Sequence, residues 1–116
     1  MSTGLDFYLC LNTSPHFSPI VISYLQAYLD DGFLERLEPA LQKARPVPRP
    51  ILNEAPSDDG EGDSIMSHDP YGEPLTYILP EDLDSITDTH PANQALLDFI
   101  TKNTWRHALI VVLYWN

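Results

Sequence analysis

In "LDFYLCL", Leu5, Phe7, Leu9 and Leu11 alternate with Asp6, Tyr8 and Cys10, the two-residue period of a strand. The loop "NTSPHFSP" follows, its Ser-Pro steps opposing helix at the serines. Ser18 can cap a helix and Pro19 suits its first position. Ile20, Tyr24 and Tyr28, with Val21, Leu25 and Leu29 beside them, then predict an amphipathic helix. Asp30, Asp31 and Gly32 interrupt it, and Asp31 suits the start of a second helix. Phe33, Leu34, Leu37, Leu41 and Ala44 carry that helix's apolar face, and Pro39 kinks or restarts it.

"RPVPRP" excludes helix and leaves polyproline II or an edge strand, and "ILN" after it can complete a short strand. "LTYIL" predicts a strand and "EDLDSI" a helical turn. "THPANQALLDFITKN" predicts a helix whose face holds Ala92, Ala95, Leu96, Phe99, Ile100 and Asn103, with Leu97 off it. "HALIVVLYW" is apolar at nearly every position, as in a strand covered on both faces. The expected class is α+β: one domain over 1–116, with a three- or four-stranded sheet packed by helices. If "ILN" is a strand, the order resembles the ferredoxin-like βαββαβ arrangement. There the last strand lies at an edge, so Ala108–Trp115 is either central in another topology or pairs with a partner, for example in a homodimer.

Charge sharpens the picture. Seventeen carboxylates against six basic residues give a formal charge of −11, which disfavours direct contact with nucleic acid or a membrane surface and favours a basic protein partner. Apolar content of 43% fits a globular chain. A lone cysteine, Cys10, permits no internal disulfide, and no signal peptide or membrane span is evident, so a cytoplasmic location is expected.

"SDDGEGDSIMSHDPYGEP" carries six carboxylates and no lysine or arginine. As a calcium loop beginning at Asp59 it offers Asp59, Glu61 and Asp63, but Ser64 replaces the required glycine and Pro70 the final glutamate. Its composition predicts a flexible acidic loop over about 53–73, able to order on binding. The candidate partner-binding residues are Asp58, Asp59, Glu61, Asp63, Asp69, Tyr71, Glu73, Glu81, Asp82 and Asp84. Carboxylates accept arginine hydrogen bonds, and Tyr71 is a rigid amphipathic contact. Arg36, Lys43, Arg45 and Arg49 form a basic stretch, which suggests a dipolar molecule.

No catalytic motif, cofactor or metal site is expected, since histidines 16, 68, 90 and 107 are scattered and Cys10 sits mid-strand, where cysteine is usually a small buried hydrophobe. The leading expectation is an acidic inhibitor or immunity-type protein that docks on a basic surface, such as that of a nuclease or nucleic-acid-binding protein. The alternatives are an assembly module dimerising through its last strand and a small enzyme using Cys10.

Overall fold

The computed structural model describes residues 4–12, 16–53 and 64–116. Its strands are β1 (Leu5–Leu11), β2 (Ile20–Ala27), β3 (Arg45–Pro46), β4 (Ile51–Asn53), β5 (Ser64–Met66), β6 (Thr76–Ile78) and β7 (Leu109–Trp115). The helices are α1 (Asp31–Leu41) and α2 (Pro91–Thr101), with 3₁₀ turns at Pro80–Leu83 and Arg106–Ala108. The strands form one sheet in the order β3-β6-β7-β1-β2-β4-β5, antiparallel except for β2 against β4.

This corrects the expected three- or four-stranded sheet packed by helices, and with it the ferredoxin-like order. The molecule is a curled, mixed seven-stranded sheet, mostly strand, with two α-helices among the described residues. The largest difference is at Ile20–Ala27, a strand and not a helix. Residues four apart share a face in a helix, but they also share one in a strand, so Ile20/Tyr24 and Val21/Leu25 satisfy both periods. The β-branched run Ile20-Val21-Ile22 and the in–out alternation decide for strand: Val21, Ser23, Leu25 and Ala27 lie deeper than Ile22, Tyr24 and Gln26. A bulge leaves Ile22 unpaired, since Leu9 faces Ser23 while Cys10 faces Val21.

β1 and β7 form the centre of the sheet, in unbroken register from Leu5 opposite Trp115 to Leu11 opposite Leu109. Gly4 and Asn116 close the end by exchanging backbone N–H···O bonds of 2.9 and 3.0 Å. A Cβ at Gly4 would collide with the Asn116 side chain. β7 is an inner strand between β6 and β1, so pairing of Ala108–Trp115 with a second copy would first have to displace β6.

Both faces of this ribbon are buried. On one, Leu5, Phe7, Leu9, Val111 and Leu113 pack against Phe33 and Leu37 of α1 and Leu96, Leu97 and Ile100 of α2. On the other, Cys10, Ile110 and Val112 join Ile51 of β4 and Leu75, which precedes β6. Residues from opposite flanks of the sheet can share that cluster because the sheet curls into a half-barrel. The flanks meet where the Leu75 N–H donates to the Ser67 carbonyl at 3.0 Å and His68 bridges to Pro74.

Asp30 caps α1 by accepting the Phe33 N–H at 2.7 Å, and Pro39 lies within its last turn. His90 caps α2 through Nδ1, with Pro91 as the first helical residue. The buried face of α2 is Asn93, Leu96, Leu97 and Ile100, while Phe99 is 51% exposed, so the helix is rotated from the predicted face. Asn93 explains the rotation. Its side chain accepts from the Tyr28 N–H (2.8 Å) and donates to the Tyr28 carbonyl (2.7 Å) and to Asp88 (2.8 Å). These bonds satisfy backbone groups just beyond β2, and α2 must face inward at Asn93 to make them.

Leu97→Ala should therefore destabilise the protein by about 2–5 kcal/mol, and Phe99→Ala by less than about 1 kcal/mol, in denaturant unfolding. Equal losses would contradict this placement of α2.

Candidate functional site

The acidic stretch enters the described structure at β5 and then makes a tight turn. Asp69 organises it: Oδ1 accepts the N–H groups of Tyr71 (2.9 Å) and Glu73 (3.1 Å), and its own N–H donates to the Glu73 carbonyl (2.9 Å). Pro70 fixes the backbone after Asp69, and Gly72 has φ +83°, which favours glycine. The turn stands beside the end of the β6–β7 pair. Between them lies an open cleft of about 440 Å³, lined by Asp69, Tyr71, Glu73, Pro74, Thr76, Leu113 and Trp115. Pro74, Leu113 and Trp115 are its apolar lining residues. No lysine or arginine among the described residues pairs with Asp69 or Glu73.

Glu81, Asp82 and Asp84 lie elsewhere. Thr76 pairs with Leu113 at the first cleft, whereas Leu79 and Leu109 border a second cleft of about 350 Å³ with Glu81, Asp84, Arg106 and His107. Four residue steps of β7 separate Leu113 from Leu109, about 13 Å. Asp82 accepts the Leu79 N–H at 2.9 Å and has Lys43 at 3.9 Å and Arg45 at 4.0 Å. Asp84 bonds Arg106 at 2.7 Å, and that hydrogen bond holds its carboxyl below the usual carboxylate range. Asp58, Asp59, Glu61 and Asp63, and with them residues 54–63 of the expected loop, lie outside the described residues.

The ten candidates thus divide into three sets. Asp69, Tyr71 and Glu73 share one cleft, and Glu81, Asp82 and Asp84 gather at the opposite end of β6–β7, where Asp82 and Asp84 meet cations of their own chain. The remaining four are not described. The expected basic pole is not separate from the acids, because Arg36 pairs with Asp88 (2.7 Å) and Lys43 and Arg45 with Asp82. Trp115 was not among the ten candidates. Only the pairing of β7 with β6 brings it to the 69–73 turn.

Cys10 is fully buried, its Sγ 3.7 Å from the Tyr8 carbonyl, and burial pushes its thiol up to about 12. Such a thiol stays protonated near neutral pH, the opposite of an activated nucleophile. On the same sheet face Tyr8 stacks on Tyr24 (5.7 Å between centroids) and meets Tyr114 edge-on (5.2 Å). Asp6 lies beside them, buried. Its Oδ2 accepts from the Asn116 side chain at 2.9 Å, and its Oδ1 has no partner among the described residues. Burial raises the Asp6 pKa, and the Asn116 bond only partly offsets this. Tyr8 is pushed up to about 12, first by burial and then by the Asp6 charge.

No helix among the described residues is long and apolar enough to cross a membrane, and no group of three or more His, Cys, Asp or Glu there could hold a metal ion. No family model, curated protein or solved structure matches the chain.

Two titrations follow. Asp6 ionises in the unfolded chain near 3.8 but at higher pH in the native state, so it removes stability as pH rises through that interval. Asp6→Asn should therefore stabilise the protein at pH 7 and have less effect near pH 3. A variant less stable than the parent at pH 7 would contradict this. Cys10 ionises near 9 when unfolded and near 12 when folded, so stability should hold below pH 9 and fall between pH 9 and 12. The slope is at most about 1.4 kcal/mol per pH unit for this group. Cys10→Ala should make the fall shallower in unfolding curves taken at stepped pH, and an unchanged slope would exclude the buried thiol as its source.

Proposed function

We propose that the protein is a small acidic protein-binding module of the inhibitor or immunity type, which works in the cytoplasm by docking on a basic face of a partner such as a nuclease or nucleic-acid-binding protein. One observation carries this reading. The cations Arg36, Lys43, Arg45, Lys102 and Arg106 are each engaged by aspartates of the same chain, namely Asp88, Asp82, Asp98 and Asp84. Asp69 and Glu73, by contrast, have no lysine or arginine partner among the described residues, and Glu73 is exposed. With a formal charge of −11, the uncompensated carboxylates set a negative potential over the surface, which steers cationic partners and repels phosphate. The buried, protonated Cys10 gives no support to the alternative of an enzyme built on its thiol.

The test is capture of partners from the native host on immobilised protein. The Debye length is about 10 Å at 0.1 M salt and about 3 Å at 1 M. A basic partner should be held at about 0.1 M and released at about 1 M. A partner of acidic isoelectric point, or one held equally at both salts, would overturn the proposal.

A further inference from the structure

We infer that the cleft between the 69–73 turn and the end of β7 receives an arginine side chain of the protein partner. This rests on the proposed binding function and assigns a site to it. The cleft joins two kinds of surface: Leu113, Pro74 and the ring of Trp115 are apolar, while Asp69 and Glu73 bring carboxylates that no described lysine or arginine neutralises. A neutral apolar occupant would strip water from those carboxylates and leave them unpaired, which is costly. A bare cation would leave the apolar wall wet.

Arginine satisfies both demands. Its methylene stem covers apolar surface, its planar guanidinium stacks on an aromatic ring, and its N–H groups pair with carboxylate oxygens. Lysine offers a compact charge without the planar face. Asp69 is also preorganised, because two backbone N–H groups already hold its Oδ1, so little ordering remains to be done on binding. The proposed protein-binding function makes that occupant an arginine residue within a protein.

The chain has two tryptophans, and Trp105 is 65% exposed and outside the cleft, so Trp105→Phe leaves Trp115 as the sole indole reporter. That variant is titrated at low salt with blocked peptides identical except for arginine, lysine or citrulline. The arginine peptide should change Trp115 emission saturably, the lysine peptide should bind about tenfold more weakly, and the citrulline peptide should give no change. Adding Glu73→Gln, an exposed substitution whose fold circular dichroism can check, should weaken arginine-peptide binding about tenfold. Equal binding of arginine and lysine peptides, unmoved by Glu73→Gln, would overturn the site while leaving a general electrostatic attraction intact. Absence of saturable arginine-peptide binding would overturn it too, and the salt-dependent capture then judges the wider proposal separately.

Discussion

The structure depends on the pairing of β1 with β7, two strands from opposite ends of the chain that are buried on both faces. Their register, from Leu5 opposite Trp115 to Leu11 opposite Leu109, fixes which side chains face the helices and which face the curl of the sheet. A slip of β1 by one residue would take Leu5, Phe7 and Leu9 out of the helix-side core and bring Asp6 and Tyr8 into it. Burying the Asp6 carboxylate among the helices makes such a slip expensive. The exchanged bonds between Gly4 and Asn116 fix the end of the ribbon.

The cleft follows from that ribbon. β6 adds to the far side of β7 at Thr76–Ile78, and the chain immediately before it is the turn ordered by Asp69. Tyr71 and Glu73 therefore stand beside Leu113 and Trp115, although more than 35 positions separate the segments in sequence. The same geometry sends the acids that follow β6 to the other end, where Asp82 and Asp84 meet Lys43, Arg45 and Arg106. One acidic run thus serves two ends: residues before β6 keep carboxylates without a described cation, and residues after it hold the protein's own cations in place.

Several elements were legible in the sequence because a single local signal decided them. β1 declared itself by alternation, α1 and α2 by periodicity and capping residues, and the inner position of β7 by apolar residues on both faces, one of the two options weighed. β2 was not legible as a strand, since spacings of four fit both periods and only its partner strand resolves them. The facing of α2 was misjudged because a polar residue, Asn93, is buried to satisfy the Tyr28 backbone, which hydrophobicity does not register. The edge strand β3 begins "RPVPRP", where an edge strand was one of two options, and β4 is the short strand considered at "ILN", whereas β5 carries too few residues for any pattern. Of the candidate site, the residue types in the 69–73 turn were legible, whereas their meeting with Trp115 is a product of strand order.

Native-state hydrogen exchange tests the primacy of the β1–β7 ribbon most directly. The amides shared between Phe7–Cys10 and Ile110–Leu113 should exchange last, through global unfolding alone, while those of α1, α2 and the short strands open earlier. Slowest exchange in α2, with β7 opening before it, would show that the helix and not the ribbon holds the fold together.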